Sequence, residues 1–405
     1  MKLLAFILLL CLCGNAWQVH SLKSAEIANA SDSFPWQRTD LLPVYVGTRI
    51  ALHRQNPYSA SAVRTIEQEY YGHALSAGEA TARDNMGFAY PLPVVLLFAP
   101  FAALPWNAAC SLYLLLSLLS TIVVALIWTR ILGICLSRSS LAILLLATLA
   151  CWPTLWALRL ENLVISVSAS LALGLYALQR GRHVTAGILV SLSSLKPQVS
   201  LVLVVWLIIW AVSTRQRRFL TSFTATSLLF LGGSVALLPR WISAWQEGLI
   251  RYQRYTRVRL VLPLPLALVL TLTMAFVLYK SRHSAASSRT FIVSVALCLS
   301  GMLSMAPFVW THTYDYILLA PACLLVVLYT PDKQIGTILR AVSLFFVALE
   351  FLLGPLASVL RAVLGYSPLL MALPGLNVFL PLSLTVTLIF VCLAVQQPGT
   401  RTPAG

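Results

Sequence analysis

Apolar runs long enough to form helices recur along this chain, separated by short gaps where Arg, Lys, Pro and Asn collect. After a polar first quarter they lie near residues 109–128, 140–157, 163–179, 184–195, 198–213, 219–238, 262–279, 291–308, 314–329, 336–353 and 376–395. A helix that crosses a bilayer needs about 20 apolar residues, fewer where protein shields its ends. With an apolar start at Met1–Trp17, the pattern predicts about twelve crossings. Two runs, 184–195 and 198–213, are too short to cross independently and flank Leu195-Lys196-Pro197-Gln198. A broken helix at membrane depth is tolerated only inside protein or beside a polar cavity, so this break points to a site. Pro91–Leu104 is apolar, short and interrupted by Pro93 and Pro100, which reads as an interfacial or re-entrant segment.

The organisation that follows has four parts. Residues 1–19 form a first transmembrane helix or uncleaved signal anchor, because no small-x-small cleavage site precedes the polar stretch. Residues 20–108 form a long extracytoplasmic loop. Within it Leu41, Val44, Tyr45, Ile50 and Ala51 have helical spacing, and Asp40–Arg54 reads as a helix lying along the membrane surface. Asn56-Pro57-Tyr58 breaks it, and 60–71 makes a second short helix. Residues 109–395 are the polytopic domain and 396–405 a cytoplasmic tail. The fold class is therefore an all-α integral membrane protein.

Composition supports this. Of 405 residues 59% are hydrophobic and 10% charged, whereas a soluble domain carries about 25% charged residues. The net charge of +16 comes from 28 Lys plus Arg against 12 Asp plus Glu. The basic residues gather in alternate gaps: Arg130 and Arg138, Arg180 and Arg182, Arg215 to Arg218, Lys280 to Arg289, Lys333. That is the positive-inside pattern, a topology signal rather than a nucleic-acid footprint. The Arg240–Arg259 stretch fits it badly; Arg251, Arg254 and Arg257 share a helical face that suits lipid phosphates. The eight Cys show no metal spacing and read as small buried hydrophobes. There is no Walker loop, GxGxxG, HExxH or GxSxG, and no acidic cluster that calls for a metal or another cofactor.

The remaining polar residues gather on the non-cytoplasmic side of this topology. Asp40, beside the membrane, is a candidate general base; on the residue alone, Thr39-Asp40 before a helix reads first as an N-cap. Lys196 at the break is a candidate phosphate contact, with snorkelling as the alternative. His312, in Trp310-Thr311-His312-Thr313-Tyr314-Asp315, is a candidate donor to phosphate or an ordinary interfacial residue. Arg159 and Asn162 share that face with Glu161, which offers to neutralise Arg159.

Four segments in order resemble glycosyltransferase family 87, membrane enzymes of the GT-C fold that use polyprenol-phosphate-mannose. They are Asp40 to Asn56-Pro57-Tyr58, Phe88-Ala89-Tyr90-Pro91-Leu92 with Pro100 and Leu104-Pro105, Ala186-Gly187 to Lys196-Pro197-Gln198, and Trp310-Thr311-His312. Two departures stand out: Arg54-Gln55 where the family often has Gly before "NPY", and Arg159-Leu160-Glu161-Asn162 where it often has "GQxN". The resemblance implies a GT-C-type bundle in which a hexose, mannose first among them, passes from a polyprenyl-phosphate carrier to an acceptor hydroxyl with inversion. It makes Asp40 the base, and Tyr45, Asn56, Tyr58, Tyr90, Arg159, Asn162, Lys196 and His312 the substrate-binding candidates. It implies no cofactor, no metal and no nucleic acid. The partners are the lipid-linked sugar, a glycolipid or glycan acceptor and the bilayer. The location is multi-pass in the cell membrane, a bacterial inner membrane, with the active site on the extracytoplasmic face. A secondary transporter or flippase is the second reading, on the crossing count and broken helix. A non-catalytic scaffold is the third, and it leaves Lys196 unexplained.

Overall fold

A computed structural model describes residues 2–28, 39–76, 86–253, 264–305, 312–328, 334–364 and 379–395. These residues form seventeen α-helices and one 3-10 helix, with no strand among them. α1 is Lys2–Ala28. The first loop holds α2 (Leu41–Leu52), α3 (Ala60–Tyr71) and α4 (Pro93–Ala102). α5 is Trp106–Ile131, α6 Arg138–Ala150, α7 Trp152–Arg159 and α8 Val164–Gln179. α9 (His183–Ser193) and α10 (Pro197–Ser213) flank Lys196, followed by α11 (Arg217–Leu237) and α12 (Trp241–Gln253). α13 (Leu264–Ser281), α14 (Arg289–Ser304), the 3-10 helix Thr313–Leu319, α15 (Ala320–Leu328), α16 (Gln334–Leu364) and α17 (Phe379–Val395) complete the chain.

Four of these helices are long and apolar enough to cross a membrane: Lys2–His20 within α1, α5, α11 and Gln334–Leu353 within α16. The pair α6 and α7 makes a fifth if counted as one span. Expected as one run over 140–157, that pair bends by 60°. The cause is local. Cys151 is extended (φ −70°, ψ 131°), and Pro153 has no N–H to continue the α6 ladder but suits the first turn of a new helix. The run over 314–329 likewise divides into the 3-10 helix and α15. Lys333, Arg254, Arg257, Arg259, Trp310, Thr311 and the tail 396–405 lie outside the described residues.

The helices build two apolar clusters. The larger joins α5, α7, α8, α10, α14, the 3-10 helix and α17. Small polar side chains pair within it, Ser304 with Thr385 at 2.8 Å and Ser281 with Ser294 at 2.8 Å. The indole N–H of Trp206 and of Trp210 reach the carbonyls of Leu278 and Ser284 at 3.1 and 2.8 Å. Where lipid replaces water, such groups must find partners inside the protein.

The second cluster is made by the first loop. α2 was expected on the membrane surface, but Leu41 through Thr48 and Ala51 are all buried. It packs on α3 and α4, and the Phe88 ring lies over Gly47, where a Cβ would meet it at 2.4 Å. Burial on nearly every face makes α2 a core helix. Leu163, Leu195 and Trp241 from later elements complete this cluster, so the first loop is folded onto the starts of α8, α10 and α12. The cysteines also divide: Cys11, Cys298 and Cys392 are buried as expected, while Cys13 and Cys135 are exposed.

α9 lies closest to α11. A Cβ on Gly187 would stand 2.1 Å from Ser222 Oγ, 2.5 Å from the Phe219 carbonyl and 2.8 Å from the Phe223 nitrogen. Two of those atoms are backbone and cannot turn aside, so the glycine permits the crossing. Gly187→Ala should therefore force α9 and α11 apart and destabilise by about 1–3 kcal/mol. Thermal unfolding in detergent should show a lower midpoint; an unchanged midpoint refutes the close crossing.

Candidate active site

Asp40 takes the N-cap position of α2, yet its side chain makes no capping bond. Its backbone N–H donates instead to the Leu160 carbonyl at 2.8 Å, which ties the first loop to the end of α7. There the chain reverses. Glu161 N–H bonds to Leu158 O at 3.1 Å, and Asn162 N–H to Ala157 O at 3.0 Å. This is the Schellman closure, with Glu161 in the left-handed position at φ 51°. A non-glycine residue is strained there by about 1 kcal/mol or more. The reversal brings Asn162 back beneath Asp40. The Arg54 position closes α2 in the same way at φ 58°.

Asn162 Nδ2 donates to Asp40 Oδ2 at 2.5 Å. Its Oδ1 accepts from Lys196 Nζ at 2.9 Å and from the Val164 N–H at 3.0 Å. These partners dictate the amide orientation. An ammonium only donates, so Oδ1 must face Lys196, and the amide N–H is left to face Asp40. An ionised carboxylate only accepts, and the arrangement suits the charged form of Asp40.

Lys196 precedes Pro197 at the first position of α10, which leaves its side chain at the break between α9 and α10. Its ammonium pairs with Asp315 Oδ1 at 2.5 Å, and the two side chains are 3% and 0% exposed. It also stands 4.8 Å above the Tyr314 ring. Asp315 Oδ2 accepts the His312 backbone N–H at 2.8 Å, fixing the start of the 3-10 helix. His312 is exposed and its ring stacks on Tyr314 with centroids 5.0 Å apart. The cluster thus grades from a sealed ion pair, through half-buried Asp40, to an exposed imidazole.

Burial raises the Asp40 pKa above the ordinary carboxylate value. The Asn162 hydrogen bond, then His312 and Lys196, pull it back down, and the Asp315 charge pushes it up.

The structure brings Asp40, Asn162, Lys196 and His312 together. It places the other sequence candidates differently. Tyr45 donates its hydroxyl to the Leu104 carbonyl at 2.7 Å and packs on Trp106. Asn56 Oδ1 accepts the Tyr58 N–H at 2.9 Å, an Asx turn around Pro57. Tyr58 reaches the Tyr90 carbonyl with its hydroxyl at 2.8 Å. These four residues knit the first loop. The Arg159 guanidinium lies over Trp156, 5.6 Å from the ring centre. Glu161 accepts from the Cys110 thiol at 2.9 Å. Arg251 on α12 reaches the Tyr58 carbonyl beside a shallow cleft lined by Tyr58, Val63, Gly87, Phe88, Ala89 and Gly248.

Asp315 was not among the candidates read from the sequence. The signal was available: a lysine at membrane depth requires a counter-ion, and Asp315 closes the segment that already held His312. Breaking a buried pair costs about 3–5 kcal/mol, because one charge is left uncompensated. Asp315→Ala should therefore destabilise strongly, whereas Lys196→Met combined with Asp315→Ala should recover most of the loss. A double-mutant cycle of unfolding in detergent measures this; additive losses would dissolve the pair.

No curated protein and no solved structure shows significant similarity to the chain. A sequence model of glycosyltransferase family 87 matches residues 88–331, more than half of the chain. The match takes in Tyr90, Asn162, Lys196, His312 and Asp315; Asp40 precedes it. It favours an enzyme over the transporter and scaffold readings. On this match the chain belongs to glycosyltransferase family 87, and its activity is that of a glycosyltransferase set in a membrane protein.

Proposed function

We propose that the chain transfers a hexose, mannose first among the candidates, from a polyprenyl-phosphate donor to the hydroxyl of a glycolipid or glycan acceptor. Asp40 is the general base. The observation that carries this reading is the Asn162 carboxamide held between Asp40 and Lys196. It occupies Asp40 Oδ2 and leaves Oδ1 for a substrate proton.

Asp40 takes the proton of the acceptor hydroxyl as its oxygen bonds to the anomeric carbon. The bond from that carbon to the phosphate oxygen breaks, and the electron pair leaves with the lipid phosphate. Attack opposite the leaving group inverts the anomeric centre. A base works best with a pKa near the working pH. Desolvation raises that of Asp40, while Asn162 keeps the ionised form accessible. Lys196 is sealed against Asp315, which suits it to orienting Asn162 more than to meeting phosphate. Exposed His312 is better placed to stabilise the developing phosphate charge.

The site faces the extracytoplasmic side in this reading, with about twelve crossings once the shorter apolar helices outside the first loop join the longer spans. The support is in the helix directions. α8 begins next to Asn162 and ends at Arg180, and α10 begins next to Lys196 and ends before Arg215. Each helix runs from the site to a basic loop, and basic loops stay in the cytoplasm.

Purified protein supplied with synthetic polyprenyl-phosphate sugars and candidate acceptors should release polyprenyl phosphate and an inverted glycoside. Transfer from nucleotide sugars alone would exclude the donor class. Asp40→Asn should lower kcat by about 10²–10⁴-fold with the protein still folded; retained activity removes Asp40 as base. The acid limb of the kcat/KM profile should lie above the ordinary Asp value. Asn162→Ala removes a bond that favours the charged form, raises the Asp40 pKa further, and should move that limb to higher pH. A shift to lower pH contradicts the assignment.

A further inference from the structure

Two helix breaks meet one side chain of the first helix. The α6 ladder ends at Cys151, whose extended backbone releases the Ala150 carbonyl from α-helical pairing. In α16, Pro355 has no N–H to give the carbonyl four residues back, which belongs to Phe351. Both orphaned acceptors are shielded from solvent within the protein, where an unmet carbonyl is costly. Asn15 of α1, 0% exposed, donates Nδ2 to both, at 2.7 Å to Ala150 O and 3.3 Å to Phe351 O. The neighbouring Gly14 lets Pro355 approach, since a Cβ there would stand 2.6 Å from its Cγ. A primary amide carries two N–H groups and so can serve two carbonyls at once.

The consequence reaches the site through α7. That helix starts at the clamped break and ends at Leu160, whose carbonyl holds the Asp40 N–H at 2.8 Å. Asn162 follows two residues later, and α7 also packs on the 3-10 helix that carries Asp315. The direction of this short helix therefore bears on three of the five polar residues of the cluster, Asp40, Asn162 and Asp315. A helix of eight residues between a 60° bend and a reversal has no long ladder to hold its direction, so the anchor at its start matters.

We propose that Asn15 is a positioning residue for glycosyl transfer: it joins the two carbonyls released by the helix breaks and so fixes the angle at which α7 presents Leu160 and Asn162 to Asp40. The proposal rests on the transfer reaction described above for its catalytic meaning. It also requires the first helix to remain part of the working enzyme.

The test uses the full-length protein in detergent. Asn15→Leu keeps the approximate size and removes both donors; Asn15→Gln keeps them on a longer arm. Hydrogen exchange followed by mass spectrometry should show faster exchange in Asn15→Leu at peptides covering Asp40 and Asn162, with recovery in Asn15→Gln. kcat per folded molecule should fall by about 10- to 100-fold, the scale of a misplacement near 1 Å, with KM nearly unchanged. A side chain that only stabilises the fold would reduce the folded fraction and leave kcat alone. Unchanged exchange at Asp40, or unchanged kcat, overturns the proposal. If Asn15→Leu does not fold, Asn15→Ser, with one shorter donor, is read by the same two criteria. If the wild type transfers no sugar, the functional reading fails by itself, and exchange at Asp40 still decides whether Asn15 positions it.

Discussion

The cluster depends on one carboxamide. Asn162 is the hinge between the Asp40 carboxyl and an ammonium that must be neutralised. Its two ends are chemically distinct, and donor-only Lys196 on one side leaves only one orientation open. That orientation presents an N–H to Asp40. The Lys196–Asp315 pair makes the lysine tolerable in a sealed environment. Beyond its direct charges, the pair acts on Asp40 through Asn162, by determining which face of the amide it meets. The structure therefore separates two environments that a list of polar residues merges. Lys196 and Asp315 are sealed, whereas Asp40 is half-buried and His312 exposed.

Interrupted helices supply the places where such groups can stand. The reversal after α7, the break before Pro197 and the start of the 3-10 helix each free backbone and side chain at one level of the fold. In a lipid-surrounded protein these interruptions carry a cost, since each exposes carbonyls that no water can meet. The molecule answers with side chains on other helices, as Asn15 does for Ala150 and Phe351. The left-handed residue Glu161 adds local strain at the reversal nearest Asp40. Strain of this kind persists only where surrounding contacts hold it, and here the Leu160–Asp40 and Asn162–Ala157 bonds do so.

The first loop bears on this as packing more than as chemistry. Tyr45, Asn56, Tyr58 and Tyr90 satisfy one another or nearby carbonyls, and α2 is buried almost all round. Their value is that they dock the loop against Leu163 and Leu195, each adjacent to a residue of the cluster. Residues that define a sequence pattern can thus serve a site by holding its wall in place.

Much of this was legible in the residue order because it is local physics. Apolar periodicity marks helices and proline marks where ladders stop; α3 begins and ends where the pattern of 60–71 placed it. The breaks at Lys196-Pro197 and Asn56-Pro57 were readable for the same reason. The bend at Cys151 was missed because length and hydropathy outweighed a single proline, and the burial of α2 was missed because a helix cannot announce which partner covers its polar-looking face. Only the tertiary structure decided the cluster itself. Asn162 meets Asp40 across 122 positions and Lys196 meets Asp315 across 119. A residue's own propensities carry no record of so distant a partner. The sequence could state that a buried lysine needs a counter-ion, and the packing of the helices chose Asp315 to be it.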